Sequence, residues 1–136
     1  MIIDTSVLIP LLLRGDPDHN RVVAAISPYR GDLVISPLVL AELDFLIASR
    51  NGVAAEVAAM RELTGGGWVI APFGAEDLAE AMTVVERYAT LGIGATDASL
   101  VVLASRYRTH TVATLDRRHF SAVQALDGKP FELVPN

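Results

Sequence analysis

Short aliphatic and β-branched runs alternate along this chain with longer segments of helical period, and that alternation restricts the fold more than any single motif. The short runs fall at 1–3, 33–36, 68–70, 111–115 and 131–134; the spacing predicts helices over 5–13, 18–27, 37–50, 53–63, 75–89 and 95–108. Gly, Pro and Asn punctuate the joints, as at Arg14-Gly15-Asp16-Pro17, Asn51-Gly52 and Gly65-Gly66-Gly67. No two strands are close enough to form a hairpin. Parallel strands joined by helical crossovers are the outcome, so we expect an α/β fold: a three-layer α/β/α domain on a mainly parallel central sheet of four or five strands. At 136 residues, 1–136 forms one domain.

Two of the predicted strands run into a carboxylate. Ile2-Ile3 leads to Asp4, with Thr5 or Ser6 expected to cap the helix that follows, and Thr111-Val112-Ala113-Thr114-Leu115 leads to Asp116. Parallel strands would deliver both acids to one edge of the sheet, where open α/β folds place their ligands. Asp97 lies in the first turn of a helix that could face the same crevice. Glu42 sits mid-helix with Leu38, Phe45 and Leu46 as its helical neighbours, which predicts a carboxylate in an apolar stripe. Asp44 reads as the outward acid of that helix. On the helices at 53–63 and 75–89, Val57, Met60 and Leu63, and Leu78, Ala81, Met82, Val85 and Ala89, define the predicted packing faces.

There is no cysteine, which excludes thiolate chemistry and disulfides, and the four acids Asp4, Glu42, Asp97 and Asp116 form an all-oxygen donor set suited to Mg²⁺ or Mn²⁺. The formal charge of −5 does not exclude a nucleic-acid partner, because bound divalent ions would cancel most of it and attract phosphate directly. A receiver domain needs a lysine after a late strand, but the only lysine, Lys129, lies in a Gly-Lys-Pro turn. A haloacid-dehalogenase-type phosphatase needs an acid where Ser6 stands, and no Gly-x-x-x-x-Gly-Lys loop occurs. The apolar runs are too short to span a bilayer and the start lacks the pattern of a signal peptide, so a cytoplasmic protein is expected.

The chain resembles the PIN domain family, and within it the VapC-type toxins of bacterial toxin–antitoxin pairs. The resemblance is carried by Ile3-Asp4-Thr5-Ser6, Leu40-Ala41-Glu42-Leu43, Thr96-Asp97-Ala98 and Thr114-Leu115-Asp116-Arg117-Arg118-His119-Phe120, in order and over essentially the whole chain. It implies a PIN-like fold and a metal-dependent endoribonuclease in which Asp4, Glu42, Asp97 and Asp116 hold one or two Mg²⁺ or Mn²⁺ ions. Thr5, Ser6 and Thr114 would support those acids, and a cognate VapB-like antitoxin and a homodimer are the implied partners. Arg117, Arg118 and His119, just beyond Asp116, are candidates for RNA phosphate contacts. The alternatives are a non-cleaving PIN-like module that binds RNA or protein, and a DNA nuclease of the same superfamily. His19 and His110 carry no acid or metal pattern and read as structural or exposed.

Overall fold

The computed structural model describes all 136 residues, Met1–Asn136. Five parallel strands form one sheet: β1 (Ile2–Ile3), β2 (Val34–Ile35), β3 (Val69–Ile70), β4 (Thr111–Ala113) and β5 (Glu132–Val134), in the order β3-β2-β1-β4-β5. Ile2 pairs with Val34 on one side and Val112 on the other, making β1 the central strand. Successive strand residues point to opposite faces, and both Ile2 and Ile3 are wholly buried, so helices cover both faces. Each such isoleucine stabilises the fold by about 1.5–3 kcal/mol through burial.

The helices are α1 (Thr5–Leu12), α2 (His19–Ile26), α3 (Pro37–Asn51), α4 (Val53–Thr64), α5 (Ala75–Arg87), α6 (Ala95–Arg106) and the single turn α7 (Arg117–Phe120). Pro37 opens α3 as expected, with the Ser36 side chain accepting a hydrogen bond from the Leu38 N–H at 3.2 Å. The α6 helix packs against α5, α3, β1 and β4, and every residue from Ala98 to Ala104 is buried. Its one polar core residue, Ser99, pairs with Ser36 at 2.7 Å, so the burial leaves no orphaned hydroxyl. Arg106 forms an ion pair with Asp77 of α5 and donates to the Pro72 carbonyl at 2.6 Å, fastening α6 to its neighbour.

Four predicted packing positions point outward instead, among them Ala89, which lies beyond the end of α5. Val57, Leu78 and Met82 are exposed; α4 buries Ala59 and Leu63, and α5 buries Ala81 and Val84. Helical period identified both helices, but on α5 the covered face carries the smaller side chains, Ala81 and Val84, which allow close approach to the neighbouring helix. No helix is long and apolar enough to cross a membrane.

Candidate active site

Strand order reverses its direction of growth between β1 and β4, and the residues following these two strands meet at the resulting crevice. Asp4 follows β1 directly and is the N-cap of α1 through its backbone, whose carbonyl accepts from the Val7 and Leu8 N–H groups at 3.1 Å. The expected cap, Thr5 or Ser6, is corrected: both already lie inside the helix. The Asp4 side chain is free for another task, because it makes no capping bond.

That side chain is only 6% exposed, and its Oδ2 accepts two hydrogen bonds, from Ser6 Oγ at 2.6 Å and from Thr114 Oγ1 at 2.9 Å. Both hydroxyls also accept: Ser6 Oγ from the Leu115 N–H at 2.9 Å, and Thr114 Oγ1 from the Asp116 N–H at 3.0 Å. Each hydroxyl has one proton and spends it on Asp4, so their mutual 3.3 Å approach is a contact rather than a third bond. The effect is a stitch between the loops after β1 and β4. It also ends β4 at Ala113, two residues earlier than the β-branched run predicts, by drawing the following backbone toward side-chain acceptors.

Asp97 projects from the first turn of α6 and is half-buried. Burial pushes its carboxyl up to about 6, and the negative charges of Asp4, Asp116 and Glu42 add to the rise while His119 opposes it. All four sequence-identified acids therefore share one electrostatic field, with Asp97 inside it. They do not share one coordination centre: no three acidic or histidine side chains converge closely enough to grip an ion as placed.

Glu42 is the outermost member. The apolar stripe expected around it is corrected, since Glu42 is exposed and its neighbour Phe45 is 69% exposed. The buried face of α3 is Val39, Leu43 and Ile47, one residue round the helix. Asp44 is exposed as expected, and it faces Glu56 of α4, whose carboxyl is raised by the hydrogen bond between them.

The three residues read as phosphate contacts separate in the structure. Arg117 donates to the Pro135 carbonyl at 2.7 Å, tying α7 to the chain after β5. Arg118 is exposed and has no intramolecular hydrogen bond or ion pair, so its guanidinium is free. His119 turns inward, with Nδ1 at 3.2 Å from both Asp97 Oδ2 and Asp116 Oδ2. Its spacing from Asp116, three residues on a helical turn, was the signal for that contact. His110, read as structural or exposed, pairs with Asp127 at 2.8 Å, at the opposite end of β4 from the acids.

Only two buried side-chain polar atoms in the chain lack a hydrogen bond, Thr5 Oγ1 and His119 Nδ1, and both belong to residues adjoining the acids. Elsewhere polar burial is balanced, so the imbalance is confined to this crevice.

The sequence pattern of the PIN domain matches residues 1–126. Ribonuclease VapC26 of Mycobacterium tuberculosis (strain ATCC 25618 / H37Rv) is 49% identical over 135 residues, covering 99% of this chain and 100% of that protein. The fold is similar to that of VapC20 of Mycobacterium tuberculosis, a sarcin–ricin-loop-cleaving toxin, with a TM-score of 0.78 at 20% identity over 85% of this chain and 89% of that one. It is also similar to a toxin–antitoxin complex from Klebsiella pneumoniae, with a TM-score of 0.68 at 18% identity over 90% and 91% of the two chains. Sequence and fold together place this chain in the PIN-domain family, among its VapC-type ribonuclease toxins.

Proposed function

We propose that Asp4, Glu42, Asp97 and Asp116 are the catalytic acids of a Mg²⁺- or Mn²⁺-dependent endoribonuclease. The observation that carries this reading is the crowding of Asp97 by three other carboxylates. Like charges held together around a half-buried acid are destabilising unless a cation joins them. The donor set fits a hard divalent ion, because every acid offers oxygen and no thiolate is present. The orphaned Thr5 hydroxyl beside Asp4 agrees with a group that belongs there.

Asp4, Asp97 and Asp116 would hold the ion, with Glu42 at the outer rim acting directly or through water. When bound, such an ion supplies an activated water and stabilises charge on the phosphorus, so that a phosphodiester is cut without a nucleophilic side chain. The chain's own part is to hold the acids still. Ser6 and Thr114 fix Asp4, and Arg118, the one unengaged cation of its trio, is placed to take an RNA phosphate. Products would carry a 5′-phosphate and a 3′-hydroxyl.

The partner reading has its own support. A groove of about 850 Å³ runs between α1, α2 and α4, lined by Leu11, Leu12 and Trp68 but also by Arg14, His19 and Glu62. It lies at the edge where β2 and β3 begin, opposite the acids, and suits an amphipathic helix from a VapB-like antitoxin. Exposed Phe45 on α3 and Leu78 and Met82 on α5 are the apolar residues we assign to a homodimer contact.

The decisive experiment incubates purified protein with RNA, single-stranded DNA and duplex DNA in Mg²⁺, Mn²⁺ or EDTA. RNA cleavage that requires the ion and disappears in a folded Asp4→Asn variant is the expected result. Ion-independent cleavage, binding without cleavage, or DNA cleavage alone would each defeat the reading.

A further inference from the structure

The three acids nearest the crevice are not held alike. Asp4 has two hydroxyl donors of its own. Asp97 and Asp116 receive no side-chain hydrogen bond, and the one group that touches both carboxylates is the His119 ring. Its Nδ1 stands at 3.2 Å from an oxygen of each, so the two oxygens are no farther apart than twice that distance. Nδ1 is inaccessible to solvent and, although both carboxylates lie within its reach, it is aligned for a good hydrogen bond with neither.

The ring cannot easily turn away. Phe120, next in sequence, is buried and packs edge-on against Phe131 with ring centroids 6.2 Å apart, and the Arg117 link to Pro135 anchors the other end of the turn. His119 is thus presented to the acids by a short, well-fastened element. The acids themselves come from separate parts of the fold, Asp97 from α6 and Asp116 from the loop after β4, and left alone they would repel one another.

We propose that His119 is a positioning residue that ties Asp97 to Asp116 through one ring nitrogen and so sets how tightly the acid site holds a divalent cation. The proposal rests on the metal-dependent reading above. Carboxylates that ligate metals are themselves oriented by donors, and losing such a donor costs about 10–100-fold in metal affinity. It also reassigns His119 away from RNA phosphate, leaving that task to Arg118.

The test measures Mn²⁺ binding to the whole protein by electron paramagnetic resonance of the free ion, without substrate. Wild type, His119→Ala, His119→Asn, His119→Gln and Asp97→Asn are compared, each checked for folding by circular dichroism. His119→Ala should bind Mn²⁺ about 10–100-fold more weakly. His119→Asn, whose amide nitrogen reaches the place of Nδ1, should recover most of the loss, and His119→Gln, whose amide extends beyond it, should not. Should the alanine variant fail to fold, the Asn and Gln pair carries the test, and equal affinities for those two would overturn the proposal. Unchanged or tighter binding by folded His119→Ala would overturn it too, the second outcome marking the ring as a competitor of the ion. Nitrogen coupling to Mn²⁺ in spin-echo spectra of the wild type would make His119 a ligand and overturn it in another way. A wild type that binds no Mn²⁺, or an Asp97→Asn variant that binds it as well as wild type, would instead remove the metal reading on which the proposal stands.

Discussion

Replacing Asp97 by asparagine should make the protein more stable while costing it the function. The Asp97 carboxyl is raised from 3.8 to about 6, first by burial and then by its acidic neighbours. A shift of that size corresponds to about 3 kcal/mol if nothing screens it. The side chain is open to solvent on one side, so screening reduces the figure to ~1–2 kcal/mol. The sign follows from proton linkage: a carboxyl that holds its proton more tightly folded than unfolded loses stability as pH rises, here between about pH 4 and pH 6, and the loss is complete above. An asparagine side chain in its place would carry no charge and suffer no such loss. In EDTA at about pH 7.5, urea titration should therefore show the Asp97→Asn variant more stable by ~1–2 kcal/mol, or ~3–6 °C in melting temperature. Near pH 4.5 the advantage should shrink to roughly a third, because folded Asp97 is then protonated. An advantage of the same size at both pH values would trace it to packing, and no advantage at pH 7.5 would show that the carboxylates do not strain one another.

Other perturbations follow from the same geometry. Thr114→Val keeps the shape but removes the donor to Asp4 and the acceptor of the Asp116 N–H, and should cost ~2–3 kcal/mol in urea denaturation; a loss under ~0.5 kcal/mol would mean the stitch is not formed in solution. Arg108 follows α6 with φ +51, a conformation that favours glycine, so Arg108→Gly should raise stability by ~1 kcal/mol by thermal melting, and a drop would place value on the arginine side chain itself. Phe45→Ser should change unfolding free energy by less than ~0.5 kcal/mol, since the ring is exposed, while shifting sedimentation from dimer toward monomer; an unchanged sedimentation coefficient would remove Phe45 from the interface.

Sequence reasoning reached the sheet because its information is local. Ile2-Ile3 or Val34-Ile35 can be read as a strand from residue type and brevity alone, and the absence of hairpins then leaves a parallel sheet. It failed where the answer depends on what lies opposite a helix. Leu38, Phe45 and Leu46 make Glu42 look desolvated, yet the fold covers Leu38 and Leu46 only in part, Glu42 is exposed and Phe45 remains in water. Leu78 and Met82 mislead in the same way on α5, whose covered side is built from Ala81 and Val84. A hydrophobic stripe says that a face seeks cover; whether this chain or another copy provides it is a tertiary fact.

The acids behave differently, because a carboxylate at a strand end has its place fixed by the backbone. Asp4 and Thr114 lie 110 residues apart in sequence yet each directly follows one of two adjacent strands, and pairing β1 with β4 brings their side chains to 2.9 Å without further instruction. What pairing cannot specify is how a group turns once there. The inward aim of His119 depends on α7 being pinned by Phe120 and Arg117, contacts that only the folded chain supplies. The consequence is a division of labour within the short stretch from Thr114 to Phe120. Thr114 and Asp116 are positioned by the sheet, Phe120 and Arg117 hold the turn, His119 faces the acids, and Arg118 is left exposed, free for the RNA contact proposed for it. A chain that repacked Phe120 poorly would keep its four acids and its sheet but lose the orientation of His119. Phe120→Ala should therefore weaken Mn²⁺ binding through α7, and an unchanged affinity in a folded variant would show that the turn holds His119 without its aromatic anchor.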